Sequence, residues 1–222
     1  GDYEEAERRI AAAKASGAAT LVLRGLDIER LPDSLGALTD LEELDLRGCQ
    51  KLVDIGSISE LINLKALFFG FDASAANWWA QSIALSDLSP LSDLTGLQLL
   101  SLRDCEQLAD VRPLSTLTSL QQLDLCGCSR LTDIRVLGAL KGLWILHINN
   151  CHRLIDVNIL QSLTGIWELD LGGCHQLVNM EIISSLTCLR EINLSGLGKL
   201  KNLDFLYCLG QLEELDLYDS VA

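Results

Sequence analysis

Six apolar residues, Leu97, Leu120, Leu143, Ile166, Leu189 and Leu212, stand 23 residues apart without slippage, and each opens the same phrase. The phrase reads L-x-x-L-x-L-x-x-C-x-x-L-x-D-h-x-x-L-x-x-L-x-x, with h apolar. Another copy opens at Leu41 and a related one at Ala18; one at Leu64 runs 33 residues and so holds ten extra. No other feature constrains the fold as strongly, because a period of this size means a stack of similar units. A single copy cannot bury its leucines. Stacked copies can, each row packing on the row of the next coil. The L-x-L centre has the two-residue period of a strand. Since every coil turns the same way, neighbouring strands run parallel. After position 15 the apolar residues fall three apart, as in "DIRVLGALKGL", which suits one or two turns of 3₁₀ or α-helix on the opposite side.

From Ala18 onward the chain resembles the leucine-rich repeat family, in its cysteine-containing variant. The resemblance implies an α/β solenoid: a curved, concave parallel sheet of about nine strands, a convex side of 3₁₀ or short helical turns, and an α-helical cap. Residues 1–17 fit that cap. Asp2 can serve as N-cap with Glu5 three residues on, Tyr3, Ala6, Ile10 and Ala13 make one apolar stripe, and Gly17 suits the stop. The cap and the following "LVLRGLDIERLPDSLGAL" resemble the opening of leucine-rich modules in bacterial multidomain signalling proteins. The expected organisation is a cap over 1–17 and a solenoid over 18–222, with an insertion at about 72–83. The chain stops inside its ninth coil with no capping motif, so its end is expected to be covered by further domains of the same polypeptide or by another subunit.

Charge narrows the function classes. A formal net charge of −14 opposes the basic footprint that nucleic-acid binding needs, and opposes docking on anionic membranes. The opening "GDYEEAERRI" is too acidic for a targeting peptide, and no apolar run approaches the ~20 residues of a membrane helix. A reducing, cytoplasmic setting is expected.

Cysteine is the residue type that most invites chemistry. Cys49, Cys105, Cys128, Cys151 and Cys174 all fall at position 9, where the chain leaves the strand. There a buried thiol acts as a small apolar residue with a weak donor, and the resemblance implies inward-pointing side chains bonded to loop backbone. Cys151-His152 and Cys174-His175 repeat 23 residues apart and supply zinc-type ligands. Positions 9 and 10 point to opposite sides, however, so no metal and no cofactor are expected. Cys126 stands at position 7, expected to face the concave surface, with His147 and Asp170 at position 5 of the next two coils. That order allows a nucleophile–base–orienter reading. The offset between Cys126 and His147, roughly 8 Å, weighs against it.

Recognition would fall to the exposed strand positions, because the leucines are committed to packing. Position 5 carries Phe68, Asp124, His147 and Asp170 among others, and position 3 carries Leu99, Ile145, Glu168, Glu191 and Glu214. Position 2 puts Trp144 directly before Trp167, and Arg24, Arg47 and Arg103 share position 7. The expectation is an apolar, aromatic patch at the centre of the concave face beside an acidic C-terminal half. Trp78 and Trp79, in the insertion "FDASAANWWAQSIA", form a second candidate. The expected partner-binding set is therefore Trp144, Trp167, His147, Asp124, Asp170, Glu168, Phe68 and Leu99, with Trp78 and Trp79 on the loop. The function expected is non-catalytic recognition of a protein or peptide of basic character, as a sensor or regulatory module of a larger signalling protein. The alternatives are a cysteine-dependent hydrolase using Cys126 and His147, or a structural spacer.

Overall fold

The computed structural model describes residues 1–77, 81–198 and 200–220. A helix, α1 (Asp2–Ser16), covers one end. Nine strands follow: β1 (Thr20–Val22), β2 (Glu43–Asp45), β3 (Ala66–Phe69), β4 (Leu99–Leu102), β5 (Gln122–Asp124), β6 (Ile145–His147), β7 (Glu168–Asp170), β8 (Glu191–Asn193) and β9 (Glu214–Asp216). They form one parallel sheet in chain order. Its register pairs like repeat positions, for example Leu123 with Leu146 and Leu146 with Leu169. The opposite side is made of short 3₁₀ segments such as Arg112–Thr116 and Arg135–Ala139. The repeat leucines, from Leu21 to Leu194, are sealed in one continuous core with the cysteines of position 9.

Two recurrent polar devices set the coil's corners. Position 8 is left-handed in eight coils: Gly25, Gly48, Asp104, Gly127, Asn150, Gly173, Gly196 and Asp219 have φ between 55° and 79°. Gly, Asn and Asp are the residues that reach this region at low cost. Phe71 occupies the position in the third coil, and there the positive φ, 110°, moves one residue back to Gly70. The second device starts the convex segments. At position 14, Oδ1 of Asp54, Asp110, Asp133, Asp156 and Asn202 accepts the backbone N–H two residues on. The D of the repeat thus makes an Asx turn while remaining exposed, and Asp110 and Asp133 also pair with Arg112 and Arg135.

The cysteine ladder is structural. The thiols of Cys49, Cys128, Cys151 and Cys174 donate to Leu23, Leu102, Leu125 and Ile148 carbonyls of the preceding coil, at 2.9–3.3 Å. In the ninth coil Ser220 Oγ donates in the same way to the Leu194 carbonyl. That substitution within the chain itself predicts the mutational behaviour. Cys128→Ser should cost about 1 kcal/mol or less, since the hydroxyl keeps the bond. Cys128→Leu should cost about 1–3 kcal/mol by overpacking a fully buried turn. Urea unfolding of the two variants checks this, and equal tolerance of both would place position 9 outside the core.

The cap differs from expectation in its bonding. Gly1, not Asp2, is the N-cap; Glu4 reaches back to the terminal amine, and Glu5 pairs instead with Arg8 and Arg9. Asp2 Oδ2 accepts the Asp27 N–H at 2.7 Å, tying helix to solenoid. Ala6, Ile10 and Ala13 are buried on the first coil as the stripe requires, and Gly17 ends the helix at φ 63°.

Candidate recognition surface

Outward-facing strand positions divide the concave face into two halves of different chemistry. The N-terminal half is apolar and internally neutralised. Arg24 and Arg47 both hold the Asp45 carboxylate, at 2.5 Å and 2.6 Å. Asp45 is 2% exposed. Burial alone would raise its pKa, but the hydrogen bonds from Arg47 and Arg24 outweigh that and bring it down to about 2. The guanidiniums stack on aromatic rings: Arg47 lies 4.9 Å from the Phe68 centroid, Arg103 5.0 Å from that of Phe71. Arg103 also faces Asp124 at 3.5 Å. Between them lies an open cavity of about 290 Å³, whose walls include Phe68, Phe71, Leu99, Ile145 and His147.

The C-terminal half is a trough of about 270 Å³ lined by Glu168, Asp170, Glu191, Asn193, Glu214 and Asp216. Glu168, Glu191 and Glu214 stand in register on β7, β8 and β9. Glu191 has its pKa raised, by partial burial and by the carboxylates of Glu168 and Glu214. His147 Nε2 meets Glu168 Oε1 at 2.7 Å, at the border of the two halves.

The position-5 acids have a second role that sequence reading missed. Oδ1 of Asp45, Asp124, Asp170 and Asp216 accepts the N–H two residues on, from Arg47, Cys126, Gly172 and Tyr218; Asn193 does the same for Ser195. These side chains hold the strand exits, so they are committed to the fold; Asp45 is buried, while Asp124, Asp170 and Asp216 also reach the open face. The two-residue spacing from Asp or Asn to the turn was the available signal. The position-3 glutamates have no such duty.

The tryptophan pair is placed differently from expectation. Trp144 and Trp167 do not border the cavity that holds Phe68, Leu99 and His147. They line a separate groove of about 410 Å³ with Gly165, Cys188, Arg190 and Gln211, along the edge where the chain enters the strands. The reason is that position 2 precedes the strand, and its side chain lies beside the sheet face rather than on it. Trp144 is 46% exposed and Trp167 half-buried. Trp78 and Trp79 lie outside the described residues. The base of the insertion closes through the Asp72 N–H, donated to Gln81 Oε1 at 2.6 Å, and the chain rejoins the core at Ile83 and Leu85.

Cys126 is likewise not on the open surface. It is 4% exposed, with Arg103 Nη2 3.5 Å from its sulfur. Burial pushes its pKa up to about 11, so the nucleophilic thiolate is scarce near neutrality. His147 turns to Glu168 rather than to Cys126. The Cys-His pairs split as their alternation implies: Cys151 and Cys174 point into the core, while the His152 and His175 rings lie outside, 5.3 Å apart. Among the described residues no group of three or more His, Cys, Asp or Glu could hold a metal ion.

Comparison with known proteins agrees with this architecture. A family model described as leucine-rich repeats in two copies matches residues 95–139. No curated protein sequence matches the chain. Among solved structures, an internalin C2 from Listeria monocytogenes superposes with a TM-score of 0.75 at 21% identity, covering 97% of this chain and 91% of that one. The leucine-rich repeat domain of the type III effector XopL gives a TM-score of 0.68 at 19% identity, covering 96% and 82%. Identities this low carry the fold alone.

Proposed function

We propose that this chain, whose fold is that of a leucine-rich repeat solenoid, is a non-catalytic recognition module whose concave face and tryptophan groove bind a protein or peptide. The observation that carries this reading is the division of labour on the sheet. The leucines, cysteines and position-5 acids are used by the fold. The Phe68–Leu99–Ile145 patch, the position-3 glutamates and the Trp144–Trp167 pair remain open to a partner. Aromatic and arginine side chains dominate interface energetics, and a groove lined by the exposed Trp144 and the half-buried Trp167 is an apolar surface open to a partner. The registered carboxylates of Glu168, Glu191 and Glu214 favour a partner of basic character. We place the module in a larger polypeptide, as its sensor or regulatory segment, in the cytoplasm. The sequence of its cap supports the first, and a core lined with free thiols supports the second. The hydrolase alternative is disfavoured by the raised pKa of Cys126 and by the partners of Cys126 and His147.

Affinity capture from the source cell identifies the partner, and purified variants then locate its site. Trp144→Ala with Trp167→Ala is expected to weaken binding by about 2 kcal/mol or more, some thirtyfold, while circular dichroism stays unchanged. Glu168→Lys with Glu191→Lys is expected to slow association most at low salt. If deleting 73–80, which leaves Asp72, Gln81 and the buried Ile83 in place, removes binding while both pairs of variants retain it, the partner sits on the insertion and the proposal fails.

A further inference from the structure

The concave face combines two recognition elements at a fixed separation. The cavity walled by Phe68, Leu99 and Ile145 is mainly apolar, with Ser101 and Gln122 also in its lining, and its arginines are already neutralised by Asp45 and Asp124 and stacked on rings. It therefore suits an uncharged side chain rather than an anion. The trough beyond it carries Glu168, Glu191 and Glu214 in one registered row, flanked by Asp170 and Asp216. Among the described residues, the contact of His147 with Glu168, an ion pair only when the ring is protonated, is the one pairing of these five acids with a basic side chain. No group of three or more of these residues is placed to hold a metal ion, so a metal does not account for the excess charge. Leu99 on β4 and Glu191 on β8 are four strand steps apart in the sheet. At ~4.8 Å per step this is roughly 19 Å, which an extended chain at ~3.4 Å per residue crosses in about five or six residues, somewhat fewer along the inside of a curve.

We propose that the concave face takes one extended polypeptide segment lying across the strands. It seats a large apolar side chain between Phe68, Leu99 and Ile145, and places two or more lysines or arginines, about four to six residues away, over Glu168, Glu191 and Glu214. This rests on the reading of the concave face as the recognition surface and adds a sequence rule for the partner. His147, bonded to Glu168 at the border, fills the gap between the elements and keeps the segment's middle free of a charge requirement.

A library of random twelve-residue peptides displayed on phage, selected on the immobilised chain, tests the rule. The expected outcome is enrichment of an aromatic or large aliphatic residue with a basic pair at that spacing. The synthetic consensus peptide, followed by fluorescence anisotropy, should lose at least tenfold in affinity with Glu191→Gln and Glu214→Gln. It should lose a similar factor with Leu99→Ser and Ile145→Ser, and bind more weakly as salt rises. Thermal melts of both double variants establish that they are folded. No enrichment, enrichment without the spacing, or affinity unchanged by either double variant overturns the rule. If the captured partner is still lost on concave substitutions while the peptides show no spacing, the rule alone falls. If the partner survives those substitutions, the reading beneath it falls as well.

Discussion

Replacing Gly70 with valine is expected to destabilise the chain by about 2–6 kcal/mol and to split its unfolding into two steps. Gly70 has φ 110°, which a β-branched residue adopts only under strain of about 1–3 kcal/mol. A Cβ there would also lie 2.6 Å from the Arg103 carbonyl oxygen and 2.9 Å from the Arg103 Cβ. Both belong to the next coil's strand exit, so relief requires the third and fourth coils to separate, at a cost like that of overpacking, about 1–3 kcal/mol. The Gly70 carbonyl also accepts the Gly48 N–H at 2.8 Å, which couples the strain to the second coil. Repeat stacks are stabilised by nearest-neighbour interfaces, so weakening one uncouples the segments on either side. Urea titration followed by circular dichroism should show a first transition from the N-terminal coils and a second near the parent midpoint. A single transition at the parent midpoint would contradict the assigned backbone geometry.

Asp45→Ala carries the second large effect. One carboxylate holds two guanidiniums and the Arg47 N–H, and it is nearly inaccessible to water. Removing one partner of a buried pair costs about 3–5 kcal/mol. Here the arginine side chains are about one-third exposed and can find water, which reduces the figure to about 2–3 kcal/mol. The pH dependence follows from the depressed pKa. The carboxylate's contribution is fully present above the unfolded-state value near 4 and is lost as pH falls toward about 2. The parent should therefore lose stability across that window, and Asp45→Asn, already lacking the charge, should lose less. Parallel curves for parent and Asp45→Asn between pH 4 and pH 2 would mean that Asp45 is not the clamp.

How much of this was legible in the sequence depends on which physical constraint each residue answers to. The nine parallel strands, the convex 3₁₀ segments, the cap and the buried cysteines follow from spacing, because period and burial determine them together. The left-handed corner was written as Gly, Asp or Asn at position 8, and Phe71 in that column marked the coil where Gly70 takes over. The surface was harder to read. Asp124 and Asp170 look like free charge in a list of exposed positions, yet each is bonded to the N–H two residues on, a role signalled only by their spacing from the turn. Cys126 looked open because alternation points it outward. What hides it is Arg103, which stands beside it from the preceding coil. Trp144 and Trp167 were correctly paired as neighbours, but the entry edge of the strand turns them into a groove of their own.

Hydroxyl-radical footprinting of the chain, alone and with its captured partner, tests the assignment of the concave face most directly. The account predicts reduced oxidation of Phe68, Leu99, Trp144 and Trp167 in the complex. Tyr207, which is 90% exposed on the last 3₁₀ segment, should be oxidised equally in both states. Unchanged oxidation of those four side chains, with protection falling instead on the convex Val136, Ile159 and Ile182, would contradict it.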